Sequence, residues 1–145
     1  MSSVHFSSET NEWHTPQYLF DDLNAEFGFQ TDLAATKENA KCQKFFTVED
    51  DSLKQEWQGV CFLNPPYGRA IRHFIQKAYE ASQKGATVVC LVPARTDTSY
   101  WHDFVIGGGA EVRFIRGRIK FIRQDGFSAP APFPSAIVIF RGHNV

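Results

Sequence analysis

Apolar positions along the chain fall into two rhythms. Phe20, Leu23 and Phe27 recur at helical spacing behind Thr15-Pro16. That predicts a helix with Thr15 as its cap, Pro16 at the first helical position and Gly28 as its stop. Phe29 to Ala34 then reads as a short strand ending in Asp32-Leu33-Ala34-Ala35. A polar stretch from Lys37 to Lys44 reads as a helix, and Lys44 to Thr47 as a second short strand. Glu49-Asp50-Asp51-Ser52 is an acidic turn capping a brief helix through Trp57. Val60-Cys61-Phe62-Leu63 is continuously apolar, as expected of a strand buried on both faces. It runs into Asn64-Pro65-Pro66-Tyr67-Gly68. Ile71, Phe74, Ile75, Ala78 and Tyr79 mark one face of a following helix that Gly85 stops. A second buried strand covers Ala86 to Val92 and closes at Pro93. Asp97 or Thr98 caps a short helix through Phe104, and Gly107-Gly108-Gly109 leads out of it. Glu111 to Ile115 and Ala136 to Phe140 read as strands. Gly117-Arg118-Ile119-Lys120-Phe121 and a proline-broken loop, Ser128 to Pro134, lie between them.

Helices alternating with apolar strands predict an α/β domain whose sheet is mostly parallel, with helices on both faces. Ligands in such sheets sit at the carboxyl ends of the strands. Asp32, Asn64 and Pro93 all fall at such ends.

Length and composition narrow the classes. A chain of 145 residues suits one domain, at the usual ~150 residues each. Residues 1–10 read as a flexible N-terminus and 11–145 as a single domain. No apolar run approaches the ~20 residues that cross a bilayer. Met1-Ser2-Ser3-Val4-His5 lacks the basic and apolar regions of a secretory signal, so the expected location is the cytoplasm. Cys42, Cys61 and Cys90 read as reduced thiols, and the five histidines show no ligand spacing, so no metal is expected. The 14 Phe, 3 Trp and 4 Tyr exclude disorder. Charge is divided unevenly. Residues 1–62 carry 11 acids and 4 bases, and residues 63–145 carry 5 acids and 11 bases. Either the two halves neutralise each other, or an acidic half holds a cationic ligand while a basic half faces an anionic polymer.

The turn after the first buried strand carries the chemistry. The Asn64 side-chain oxygen and the Pro65 carbonyl are both acceptors, and the prolines fix them in advance. Two convergent acceptors suit an –NH₂ group, and Tyr67 suits a flat partner by stacking. Neither acceptor is a strong base, so the turn is suited to polarising an amino nitrogen. A rigid strand-ending turn is the alternative.

Asn64-Pro65-Pro66-Tyr67 resembles the catalytic signature of S-adenosylmethionine-dependent amino-group methyltransferases. The wider pattern is similar to the phage and prophage Dam-type DNA adenine-N6 methyltransferases. It includes Glu12-Trp13-His14-Thr15-Pro16, Asp32-Leu33-Ala34-Ala35, Asn39-Ala40-Lys41-Cys42, Trp57, Leu91 to Thr98, Gly117 to Phe121 and Ile137 to Phe140. The resemblance runs from about Glu12 to Arg141 and implies a Rossmann-like class I fold with one antiparallel strand near the C-terminus, in which 11–145 would be a minimal catalytic domain without a separate target-recognition domain. It implies transfer of a methyl group from S-adenosylmethionine to the amino group of an adenine flipped out of double-stranded DNA, without metal. In a phage-encoded protein the compartment would be the bacterial host cytoplasm.

The resemblance also suggests roles. Asn64, Pro65, Pro66 and Tyr67 would be catalytic, with Tyr67 and Phe121 stacking on the target base, an ordinary core position being the alternative for Phe121. Asp32 would meet the methionine ammonium. Trp13, Thr15, Pro16 and Ala34 would lie around the cofactor, and one or more of Glu49, Asp50 and Asp51 would meet its ribose and adenine, Asp51 being the adenine contact. Arg113, Arg116, Arg118, Lys120 and Arg123, with Arg69 and Arg72, would contact DNA phosphates, which give affinity but do not read sequence. The Gln124 to Phe133 loop is the one sizeable candidate for reading sequence. Three alternatives stay open: RNA adenine as substrate, a protein glutamine as substrate, or a DNA-binding module without turnover. The oligomeric state is not legible.

Overall fold

The protein was analysed as a computed structural model, which describes residues 13–122 and 127–143. The flexible N-terminus expected over residues 1–10 and the basic residue Arg123 lie outside the described residues. Six strands form one sheet in the order β2-β1-β3-β4-β8-β5. They are β1 (Thr31–Asp32), β2 (Lys44–Phe45), β3 (Val60–Leu63), β4 (Thr87–Pro93), β5 (Glu111–Phe114) and β8 (Ser135–Phe140). The first four pair in parallel. β8 runs antiparallel between β4 and β5, with Val89 opposite Ile139 and Glu111 opposite the same residue. The sheet is mostly parallel with one reversed strand near the C-terminus, as anticipated.

Among the described residues two α-helices flank the sheet, α1 (Gln17–Phe27) and α2 (Ile71–Gln83). Side chains alternate between faces along a strand. Phe62 meets Phe20 of α1 at a centroid distance of 5.2 Å. Phe140 is in register with Val88, which in turn pairs with Cys61, so it projects from the opposite face, where it meets Tyr79 of α2 at 6.4 Å. One α-helix therefore covers each face. The strands between them are almost wholly buried, and Cys61, Phe62 and Leu63 are at most 1% exposed. Burying each large side chain contributes about 1.5–3 kcal/mol.

Several segments differ from the sequence expectation, each for a local reason. Thr15 does not cap α1. Pro16 takes the cap position in extended conformation, and no side chain caps there. The α1 stop is as expected, with Gly28 in the left-handed region at φ 69°. Lys37 to Lys44 is a series of turns, because the Lys41 amide donates to the Asp32 carboxylate (3.0 Å) rather than to a carbonyl one helical turn back. The helix expected after the acidic turn is a 3₁₀ turn, Ser52–Lys54. The one after Thr98 is a six-residue π-helix, Trp101–Ile106, closed by the Gly107 amide on the His102 carbonyl at 2.9 Å. Gly108 allows that closure, since a Cβ there would lie 2.7 Å from the Tyr79 ring. The proline-broken loop begins in a strand: β7 (Ser128–Pro130) pairs antiparallel with β6 (Lys120–Ile122), Phe121 opposite Ala129. Pro130 ends its strand, where a missing N–H is tolerated.

The strand order reverses direction between β1 and β3, which are neighbours. The chain passes from β1 outward to β2, returns to β3, and proceeds to β4. The carboxyl ends of β1 and β3 thus diverge around one crevice, the usual ligand site of an open α/β sheet. Asp32 ends β1, and Asn64 follows directly on β3.

Candidate active site

Two cavities open along this edge. The first, about 330 Å³, is walled by Trp13, Thr15, Asp32, Ala34, Phe46, Asp51, Ser52, Leu53, Asn64, Pro65 and Pro66, among others. The second, about 430 Å³, is bordered by Trp13, Tyr67, Gly68, Pro93, Arg95 and Phe133, among others. Trp13 touches both. The turn after β3 divides itself between them, giving Asn64, Pro65 and Pro66 to the first and Tyr67 and Gly68 to the second. Such a layout suits transfer between two bound molecules.

Asp32 sets the electrostatics of the first cavity. It is 3% exposed. Its oxygens accept from the backbone amides of Ala34 (3.3 Å) and Lys41 (3.0 Å). Burial raises its pKa from 3.8 to about 6, opposed by those two hydrogen bonds and the Lys41 charge. Lys41 turns its ammonium to Gln17 Oε1 instead, at 2.8 Å, and Asp32 has no side-chain ion pair among the described residues. A buried carboxylate without a counter-ion on a cavity wall fits an external ammonium. The same wall carries the apolar side chains of Phe46, Val48, Leu53 and Phe74. The Ser52 hydroxyl on that wall is buried without a partner. The 3₁₀ turn carrying these residues is held by Lys77, whose ammonium donates to the carbonyls of Leu53 (2.7 Å) and Gln55 and lies 5.2 Å over the Trp57 ring. Sequence reasoning missed Ser52, Phe46, Leu53 and Lys77, because no spacing ties them to Asp32 or Asn64.

Of the three acids in the turn, Asp51 lies on the cavity wall, at φ 53°. Asp50 is occupied, accepting from the Thr47 amide (2.8 Å) and hydroxyl (3.1 Å). Glu49 is exposed and off the wall. Pro16 is also off the wall: it is buried at the head of α1, where its carbonyl accepts from the Phe20 amide.

Asn64 lines the first cavity. Its side-chain Nδ2 donates to the Trp13 carbonyl and to Thr15 Oγ1, the latter at 3.0 Å. Its Oδ1 is buried without a partner. Leaving a buried acceptor unpaired costs about 1–3 kcal/mol, so the fold holds an amide oxygen ready for a donor. Tyr67 is less free than expected. Its hydroxyl donates to the Leu91 carbonyl at 3.3 Å, and burial pushes its pKa up strongly. The ring meets Phe133 edge-on at 5.5 Å. Phe121 corrects the expected pairing of two stacking rings. It is 1% exposed and packed edge-on against Trp13 at 5.3 Å, off the second cavity's wall. The aromatic rings on that wall besides Tyr67 include Trp13 and Phe133.

The basic residues also divide. Arg113 forms a bidentate pair with Glu26 of α1 (2.7 and 2.8 Å) and bonds Glu111 at 2.8 Å. Arg72 pairs with Asp103 at 3.1 Å and bonds Ser99 at 2.8 Å. Both therefore tie elements of the fold together. Arg69, Arg116, Arg118 and Lys120 are exposed and have no ion pair among the described residues. Arg116 and Arg118 follow the carboxyl end of β5. Arg95, not anticipated as a contact, borders the second cavity with its guanidinium 5.5 Å over the Phe133 ring. Among the described residues no cluster of His, Cys, Asp or Glu could hold a metal ion, and no helix is long and apolar enough to cross a membrane.

A carboxylate-walled cavity that shares Trp13 and the turn after β3 with an aromatic one has the layout of a group-transfer enzyme. The sequence matches the family described as DNA N-6-adenine-methyltransferase (Dam) over residues 2–143, and the chain belongs to that family. It is similar to the DNA N-6-adenine-methyltransferase of Haemophilus phage HP1 (strain HP1c1). The two are 30% identical over 122 residues, which cover 81% of this chain and 70% of the relative. The protein of the same name from Escherichia phage T1 is 34% identical over 106 residues, covering 71% of this chain and 44% of the relative. Family membership makes the chain a methyltransferase specific for adenine N6 in DNA, with S-adenosylmethionine as its methyl donor.

Proposed function

We propose that residues 11–145 act as one catalytic unit of Rossmann-like class I type, which methylates N6 of an adenine flipped out of double-stranded DNA in the bacterial host cytoplasm. The single observation that carries this reading is the buried, unpartnered Oδ1 of Asn64, a residue that lines the first cavity three positions ahead of Tyr67 on the second. The first cavity takes S-adenosylmethionine, with Asp32 on the methionine ammonium, Thr15, Trp13 and Ala34 along the same wall, and Asp51 and Ser52 toward the ribose and adenine. When bound, that cofactor supplies an electrophilic methyl group on a sulfonium. The second cavity takes the flipped base, at a cost of a few kcal/mol for unstacking, with Tyr67, Phe133 and Trp13 as its aromatic border.

The chain's own work is electrostatic and positional. Adenine's amino nitrogen is a poor nucleophile because its lone pair is delocalised into the ring. Asn64 Oδ1 and the Pro65 carbonyl accept one N–H each. This draws the nitrogen toward tetrahedral geometry and returns electron density to it. Pro65 and Pro66 hold both acceptors in place, so the alignment entropy is met on folding rather than at reaction. No side chain on either wall is needed as a covalent nucleophile. Arg69, Arg116, Arg118 and Lys120 contribute phosphate contacts, which supply affinity and salt dependence.

Incubation with tritiated S-adenosylmethionine and DNA, RNA or protein substrates tests the reading. Label at adenine N6 in DNA is expected. Label in RNA or protein with none in DNA would overturn it.

A further inference from the structure

We propose that Thr15 and the Trp13 carbonyl form the device that orients the Asn64 amide for methyl transfer, making Thr15 a positioning residue of the transfer step whose hydroxyl serves Asn64 rather than the cofactor. The proposal rests on the reading of Asn64 as an acceptor for the target amino group. A primary amide can sit in two orientations related by a half-turn, one presenting oxygen and the other NH₂. Only the first can accept from an amino group; the second would set donors against donors. Something in the protein must select between them.

The selection is made from 49 and 51 residues away in sequence. The Trp13 carbonyl can only accept, so it demands an N–H from Asn64. Thr15 Oγ1 takes the second N–H at 3.0 Å. With both N–H groups engaged, Oδ1 is left buried and unpartnered on a residue that lines the first cavity. A flipped amide would oppose its oxygen to the Trp13 oxygen and strand both N–H groups. Thr15 is itself 4% exposed, and no hydrogen bond from it caps α1, so its hydroxyl is free for this task. Pro16 holds the preceding residue in extended backbone, which fixes where that hydroxyl lies. Pro16, absent from the cavity wall, thereby acquires a role in placing Thr15.

The test compares Thr15→Val, Thr15→Ser and Asn64→Ala with the unaltered protein. The readouts are single-turnover methyl transfer to duplex DNA at saturating S-adenosylmethionine, and calorimetric affinity for S-adenosylmethionine alone. Valine keeps the branched shape and removes the acceptor. The expected result is a transfer rate lowered about tenfold, the scale of one lost hydrogen bond in the transition state. Affinity for the donor should stay within about threefold, and Thr15→Ser within about twofold of the unaltered rate. An unchanged Thr15→Val rate, a donor affinity weakened in step with the rate, or a serine variant as slow as the valine one would overturn the proposal. Should the valine variant not fold, Thr15→Ala is read by the same criteria. Activity in Asn64→Ala would instead sink the underlying reading of Asn64. An inactive Asn64→Ala beside a fully active Thr15→Val removes the positioning role alone.

Discussion

Lowering the pH protonates Asp32, and cofactor affinity should fall with it. Burial raises the Asp32 pKa to about 6 in the free protein. The carboxylate is therefore almost fully ionised at pH 8 and roughly one-tenth ionised at pH 5. If only the ionised form holds the methionine ammonium, the dissociation constant for S-adenosylmethionine rises about tenfold between pH 7 and pH 5. On the alkaline side the ligand's own α-amino group titrates near ~7.7–8.0, so affinity peaks near pH 7. The same shift affects folding. The folded protein holds this proton more tightly than the unfolded chain, about 6 against 3.8. Its contribution to stability is fully present below the lower value and is lost as pH rises through the upper one, a change of about 3 kcal/mol. A cation bound against the carboxylate offsets that loss. Thermal stabilisation by S-adenosylmethionine should accordingly be larger at pH 7 than at pH 5. Isothermal titration calorimetry at pH 5, 6, 7 and 8 measures the affinity limb directly, with Asp32→Asn as control. An affinity flat from pH 5 to 7, or an acid limb that survives in Asp32→Asn, would refute the assignment.

Three further outcomes are expected. Tyr67→Phe removes the donor to the Leu91 carbonyl and should lower stability by about 1 kcal/mol in urea melts; transfer should continue at near the original rate, and a large loss of kcat would give the hydroxyl a chemical role instead. Charge reversal at Arg116 and Arg118 should weaken DNA binding and reduce the slope of log affinity against log salt by ~1 per lost phosphate contact. Arg113→Ala should leave that slope unchanged, since its guanidinium is committed to Glu26 and Glu111; a fall in slope would place Arg113 on the DNA.

The parts of the fold legible in the sequence were those dominated by burial. Val60 to Leu63 and Thr87 to Pro93 are apolar runs because both faces of each strand are covered, and α2 shows its face through Ile71, Phe74, Ile75 and Ala78. Asp32 and Asn64 could be placed at strand ends for the same reason. What stayed hidden depends on contacts between distant residues. Nothing local tells that the Lys41 amide leaves a helical path for Asp32, or that Arg113 meets Glu26 from 87 residues away. Thr15-Pro16 reads as a cap because that is the commoner use of the pair, while the actual partner of the hydroxyl is Asn64. Phe121 follows the same logic. An aromatic beside a cluster of bases resembles a stacking ring, yet the β6–β7 pair that carries Phe121 is written in residues that include Pro130. The uneven charge is likewise used in two ways: Glu26 and Arg113 neutralise each other across the halves, while Arg116, Arg118 and Lys120 stay exposed.

The most direct test of the central claim is methyl transfer by Asn64→Ala, followed with tritiated S-adenosylmethionine and adenine-containing duplex DNA. Removing the amide should abolish labelling at adenine N6 while donor affinity stays within a few-fold of the unaltered protein. Labelling at the original rate would show that the bare Asn64 oxygen is not what activates the amino group.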